Sequence, residues 1–497
     1  MRRVIVKRPD APDGVVLALA CVAQFMVVLD VSIVTVALPS IGRDLHYTAS
    51  GLQWVVNAYV LTFAGFLLFG GRAADLFGRR RSYLFGLGLF TLASLAGGVA
   101  QSAAWLTAAR AVQGVGGAFL SPASLTIIVT TFTDRQRRAR AIGMWSAVAG
   151  AGGAAGAILG GVLTAELSWR WVLFVNIPIG VVTATAAAAY LTELRRPSAD
   201  AGRRRIDVGG AVTITAGLGV LVYAIIGTST NAWLSARTLS LLAVAAVLLA
   251  AFAVIEHRQA AAALVPFQLL RSRSVAGANI VMLLAGAAFF AMWYFLSLYL
   301  QDVLGYSALR AGLAFIPMAI AIMVGAQASP RLLPRIGLRP LLAGGMMLAA
   351  GGFAWLAEIP AHGSYVIHVL GPGLIVALAL GLLFTPLATA ATTGVPLSQA
   401  GLASGVLNTS RQVGGSIGLA ALATVAVART HSVLATGHSP AGALAAGYDR
   451  AFASAAALSV AGLACTLVIH TVARAERDDA RQASPSPQQD ASQDHRN

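Results

Sequence analysis

The chain has 497 residues, of which 57% are hydrophobic and only 11% charged, and 35 Lys and Arg against 19 Asp and Glu leave a net charge of +16. A soluble domain ordinarily carries roughly 25% charged residues, so these polar groups cannot coat a globular surface. Apolar stretches of about 20 residues, the length that crosses ~30 Å of hydrocarbon, alternate with short polar clusters, the pattern of an all-α membrane protein.

Fourteen such stretches follow in chain order. The first half holds 14–39, 52–71, 82–101, 105–130, 140–164 and 169–191, two more follow at 208–227 and 238–256, and the second half holds 275–300, 310–329, 338–357, 364–388, 400–428 and 448–472. Around them lie an N-terminal segment 1–13, loops at 192–207 and 257–274, and a tail at 473–497 whose Ser, Pro, Gln and charges read as disordered. With the N-terminus placed in the cytoplasm, 27 of the 35 basic residues fall inside and 6 outside, leaving Arg110 and Arg411 within spans. That asymmetry predicts both termini cytoplasmic and an even span count. It also argues against nucleic-acid binding, because the charge is scattered over loops at membrane level.

Composition removes several chemistries. The single lysine, Lys7, follows Val4-Ile5-Val6 rather than a glycine-rich loop, so no Walker A phosphate cradle is expected. Cys21 and Cys465 each lie inside an apolar run and read as packing residues. No His, Cys or carboxylate set has ligand spacing, so neither a metal nor an enzyme activity is expected.

An ionisable group in hydrocarbon is costly and points to function. Asp30 is the only acid deep in a span, nine residues before Pro39 and therefore ~13 Å below the outer surface. Arg110, five residues into span 4, lies ~8 Å deep in a similar layer. Two readings stand: a proton or substrate path through Asp30, and a fixed structural pair of Asp30 with Arg110. Arg411, eleven residues into span 13, lies near the midplane with no acid at that depth in the second half. It either meets an anionic group in a water-filled cavity, reaches across to Asp30, or is satisfied by carbonyls and the neighbouring polar residues. Span 5 carries Gly152, Gly156 and Gly160 beside Gly153, Ala157 and Gly161. Such small ridges let another helix approach closely, either as static packing or as a sliding contact. Gly401, Gly405, Gly414 and Gly418 repeat the pattern in span 13.

Five stretches resemble the motifs of the major facilitator superfamily. They are Leu29-Asp30 through Pro39 in span 1, Gly71-Arg72-Ala73-Ala74-Asp75-Leu76-Phe77-Gly78-Arg79 after span 2, Arg110 through Gly117 in span 4, Trp169 through Gly180 after span 5, and Tyr299-Leu300-Gln301 through Tyr306 at the end of span 9. With fourteen runs over ~14–472, the chain resembles that superfamily's drug–proton antiporters with fourteen spans. The resemblance implies the major facilitator fold: two six-helix bundles, 14–191 and 275–472, around a central cavity, with two extra helices at 208–256 between them. It implies a cytoplasmic gate held by Gly71, Asp75, Gly78 and Arg79, with Asp75 facing the start of span 13 near Gly401 and Arg79 bridging to Asp134. In one respect the chain departs from the antiporter pattern, with Gly156-Ala157 where Gly-Pro is usual, which keeps the close approach and loses the kink.

The expected function is proton-coupled export of drugs or antibiotics from the cell by antiport and alternating access, in the cytoplasmic (inner) membrane. The alternative is a narrow exporter of an endogenous metabolite, antibiotic or lipid. A membrane sensor is disfavoured by the lack of a soluble domain. No cofactor is expected, since the proton gradient drives the cycle. The partners are a small amphipathic organic substrate, protons and the lipid bilayer, and a monomer is expected. Candidate cavity residues are Gln53, Trp54, Asn57, Trp293, Tyr294 and Arg411, with Asp30 and Arg110 for proton coupling.

Overall fold

The structure, a computed structural model, describes residues 12–191, 207–228, 231–258, 269–395, 399–466 and 469, except the side chains of Asp75, Arg135, Ala139, Ala149 and Ala400. The expected N-terminal segment before residue 12, the loop at 192–206, residues 259–268 and the tail at 473–497 lie outside the described residues.

Each of the fourteen apolar runs contains a long helix. They are α1 (Asp13–Asp44), α2 (Trp54–Phe77), α3 (Arg79–Gly98), α4 (Ala103–Thr131), α5 (Arg135–Glu166), α6 (Asn176–Tyr190), α7 (Val208–Gly227), α8 (Ala236–Arg258), α9 (Arg273–Leu298), α10 (Ile316–Ile336), α11 (Leu338–Leu356), α12 (Gly371–Thr392), α13 (Ala400–Leu434) and α14 (Pro440–Thr466). Among the described residues, 11 helices are long and apolar enough to cross a membrane. The three that fall below that apolarity are α3, α11 and α14. Arg, Gly and Ser dilute α3, Arg, Pro and Gly dilute α11, and α14 carries Asp449 and Arg450 within its length. Starts are fixed locally by oxygen acceptors: Ser102 caps α4 through the Trp105 N–H, and Asp134 caps α5 through the Arg137 N–H.

Two sets of six helices repeat one packing scheme. In the first, α1 packs on α5, α2 on α4, and α3 on α4 and α6; in the second, α9 packs on α13, α10 on α12, and α11 on α12 and α14. The turns repeat as well. Gly78 between α2 and α3 (φ +103°) and Gly337 between α10 and α11 (φ +84°) both take a backbone conformation that a side chain strains. Gly78→Ala is expected to cost roughly 1–3 kcal/mol, visible as a lower apparent melting temperature of the purified protein; an unchanged transition would contradict the strain argument.

The α7–α8 hairpin lies over the seam between the two sets. Leu218, Val222 and Ile226 of α7 pack with Leu61 of α2 and Ala420 of α13. Outside it, α8 exposes Leu239, Val244, Val247 and Val254, an apolar surface suited to lipid rather than water.

Prolines shape the contacts inside. Pro386 has no N–H to offer the carbonyl of Leu382 one turn earlier, and Ser329 of α10 donates to that oxygen instead at 2.8 Å. Pro39 leaves Thr35 in the same position, and there the donor comes from the other half: Ser297 Oγ donates to Thr35 O at 2.9 Å, and Gln301 Nε2 to Val36 O at 2.9 Å.

Candidate functional site

Asp30 sits on α1 with no solvent exposure, as does Gln113 on α4, and Arg110 is 1% exposed. Gln113 lies one helical turn beyond Arg110, so both side chains leave the same face of α4. Arg110 Nη1 donates to Asp30 Oδ2 at 2.5 Å and to Gln113 Oε1 at 2.8 Å, while Arg110 Nε donates to the Val55 carbonyl at 3.1 Å. Gln113 Nε2 donates to Asp30 Oδ1 at 2.7 Å. Asn176, at the start of α6, donates to Asp30 Oδ1 and to Ser94 Oγ, each at 3.1 Å. The Arg110 guanidinium lies 4.5 Å from the ring centre of Tyr59. Asp30 is thus held by one cation and two amides from α4 and α6. Two polar atoms of this network, Tyr59 Oη and Asn176 Oδ1, are buried without a hydrogen-bond partner.

Arg110 was expected near Asp30; Gln113, Asn176, Ser94 and Tyr59 were not assigned roles. The signal for Gln113 was its spacing from Arg110. Asn176 begins α6 after the separate turn Trp171–Phe174, a placement that only the fold reveals. At the end of α1, Asp44 accepts from Trp169 Nε1 at 2.9 Å and Arg170 Nη1 at 2.8 Å. Tyr47, between α1 and α2, donates to the Ala103 carbonyl at 2.6 Å. Burial pushes its phenol above the usual range and keeps it a neutral donor.

The glycine ridges of α5 serve two different partners. A Cβ on Gly156 would stand 2.7 Å from Ser32 Cβ and 2.8 Å from the Leu29 carbonyl, and one on Gly160 2.7 Å from the Ile33 carbonyl. Gly152 likewise faces Phe25, so this ridge seats α5 on α1 within one half. Gly161 faces the other half: its Cβ would lie 2.8 Å from the Ala308 carbonyl at the start of the short helix Ala308–Ala314 before α10. In α13 the same division appears, with Gly414 and Gly418 against α9 and Gly405 against Leu68 of α2.

The two halves meet most closely at the end of the molecule carrying Asp44, Glu166 and Gln301. Thr35, Val36 and Gly161 join across it, and Ser416 Oγ donates to Asn57 Oδ1 at 3.1 Å. Toward the end carrying Arg79 to Arg81, the contacts thin out. A Cβ on Gly401 would meet nothing within 4 Å, and one on Gly71 meets only Pro122 Cβ at 3.6 Å. Asp75 lies on α2, but its side chain is outside the described residues. Asp134 is engaged at the α5 N-terminus, where its Oδ1 accepts from Arg137 N at 2.8 Å.

The expected cavity residues scatter. Tyr294 is packed in the core of the second half against Phe295, with ring centres 5.3 Å apart. Trp293 lies 5.1 Å from Phe315, and Trp54 turns toward Tyr223 of α7 at 6.3 Å rather than inward. Gln53 and Asn57 are fully buried, each with an amide atom lacking a partner. Arg411 does not reach Asp30: its partners are Asn408 Oδ1 at 2.9 Å and the Phe384 ring at 5.9 Å.

Residues 20–419 match the family model of the Major Facilitator Superfamily. The chain belongs to this superfamily. Among its relatives is the cephamycin export protein CmcT of Amycolatopsis lactamdurans, 45% identical over 94% of this chain and 95% of that one. Another is the puromycin resistance protein pur8 of Streptomyces alboniger, 39% identical over 94% and 92%. The same fold is found in a bacterial homolog of the human lysosomal transporter Spinster, TM-score 0.66 over 96% of this chain and 99% of that one, at 16% identity. The protein is therefore a multi-pass membrane transporter, not an enzyme, and its relatives are antibiotic export and resistance proteins.

Proposed function

We propose that this transporter exports drugs or antibiotics across the cytoplasmic membrane in exchange for protons, by alternating access. In this reading all fourteen helices span the bilayer, both termini are cytoplasmic, and the end bearing Arg79 to Arg81 faces the cytoplasm. Helices α1–α6 and α9–α14 are the two moving bundles, and α7–α8 follow the seam. Residues Gly71, Asp75, Gly78, Arg79, Asp134 and Gly401 form the cytoplasmic gate.

The observation that carries the proposal is the complete burial of Asp30 between Arg110, Gln113 and Asn176. A proton on Asp30 removes the negative charge that Arg110 balances and converts one acceptor oxygen into a donor, so the network must rearrange. Asp30 shares α1 with Thr35 and Val36, whose carbonyls receive the bonds from the other half. A change at Asp30 is thereby transmitted ~8 Å along one helix to the contact between bundles. Protonation from outside accompanies substrate release, and deprotonation toward the cytoplasm resets the carrier.

The test is dye efflux from energised cells. Wild type is expected to export and to stop when a protonophore collapses the gradient, whereas Asp30→Asn is expected to lose at least about tenfold in gradient-driven export. Wild-type rates with intact gradient dependence in Asp30→Asn would refute the assignment.

A further inference from the structure

We infer that Arg411, with Asn408 and the ring of Phe384, is an anion subsite, and that the exported compounds are amphipathic organic carboxylates. The inference rests on the transport reading above and narrows its substrate class.

Charge is the first argument. Arg411 lies eleven residues, ~16 Å, from the start of α13, deep in the span. Its partners among the described residues are one neutral amide oxygen, Asn408 Oδ1, and one aromatic ring. Among the described residues it forms no ion pair, in contrast to Arg110, Arg137 and Arg170. Asp30, the acid deepest in a span, is already balanced by Arg110 in the opposite half. Asp75 is also out of reach. Leu68 of α2 meets α13 at Gly405 and Asn57 meets it at Ser416, so the helices run antiparallel. By that register the backbone of Asp75 lies about 20 Å along the axis from Arg411. A guanidinium at this depth without a counter-charge among the described residues is the costly arrangement that a bound anion relieves.

Placement is the second argument. α13 is covered by α9 and α14 within its half and by α2 and α7 across the seam. The side bearing Asn408 and Arg411 turns instead toward α12, which α13 touches only lightly, and there Arg411, Asn408 and Phe384 are all partly exposed. Arg411 therefore faces α12 within its own half rather than the helices across the seam. A planar guanidinium matches a carboxylate with two donors, Asn408 keeps it oriented, and Phe384 supplies an apolar surface beside the charge. A compound with an aromatic or aliphatic body and one carboxylate fits all three.

The test uses three probes with one body: 1-pyrenebutyrate, its methyl ester, and a pyrenebutyl trimethylammonium ion. Binding to the purified full chain in nanodiscs is read by energy transfer from its tryptophans. Wild type is expected to prefer the carboxylate over the ester by about tenfold or more. Arg411→Gln brings the carboxylate down to the level of the ester, and Arg411→Lys keeps part of the preference. The inference is overturned if wild type binds the ester or the ammonium ion as tightly as the carboxylate, if Arg411→Gln keeps the preference, or if it loses all three probes together. Export of the carboxylate that ignores a protonophore, with the binding preference intact, would instead refute the proton-coupled reading and leave the subsite standing.

Discussion

Arg110→Met is expected to destabilise the protein by about 3–5 kcal/mol, because it leaves the Asp30 carboxylate buried without its cation. Adding Asp30→Leu is expected to recover part of that loss, since a buried ion pair replaced by apolar side chains of similar size is often neutral. The recovery stays incomplete because Gln113 Nε2 and Asn176 Nδ2 lose Asp30 as acceptor. Export is expected to follow a different order, with the double variant as inactive as either single one. Melting of the purified variants and gradient-driven export, measured together, separate the two readings that the sequence leaves open. A fixed structural pair predicts that stability and export recover together. A coupling acid predicts that stability returns and export does not. A single Arg110→Met variant as stable as wild type would remove the premise of both.

The positions of the membrane helices were legible because hydrocarbon imposes a length and an apolarity that no polar loop imitates, and every apolar run holds a helix. The count was less secure for a physical reason. Helices α3 and α11 make close contacts through glycine and carry arginine near their starts, so their apolarity falls below that of α8, which carries Leu and Val on its outer face. The Asp30–Arg110 contact was legible from two charges at similar depth. Gln113 was half-legible, one turn from Arg110, whereas Asn176 reaches Asp30 only because α6 starts afresh after a separate turn. Aromatic residues misled. Nothing local distinguishes a Tyr that lines a cavity from one that fills a core, and Tyr294 fills the core. The glycine ridge on α5 was visible as a repeat, but its division between α1 on one side and the short helix before α10 on the other depends on which helices the fold brings together.

Ser297→Ala combined with Gln301→Leu is expected to loosen the closed end of the transporter. Pro39 supplies no N–H, so the Thr35 carbonyl lacks its usual donor one turn on in α1, and Ser297 of the other bundle donates to it. Gln301 adds the bond to Val36 beside it. Separating the bundles breaks both bonds and leaves the Thr35 oxygen without its helical donor, so closure is favoured by roughly 1 kcal/mol for each bond. Losing both amounts to roughly 2 kcal/mol, about a 30-fold change in the ratio of closed to open molecules. Spin labels at Glu166→Cys and Arg310→Cys, with Cys21 and Cys465 replaced by Ala, report the separation of the bundles at that end. Their distance distribution is expected to gain a longer component in the double variant. Pro39→Ala provides the control for cause. It returns an N–H to α1, lets Thr35 bond within its own helix in both states, and is expected to blunt the effect of Ser297→Ala. Unchanged distances in the double variant would show that the two bonds do not hold the bundles closed. An undiminished Ser297→Ala effect beside Pro39→Ala would show that the proline is not what makes the serine matter.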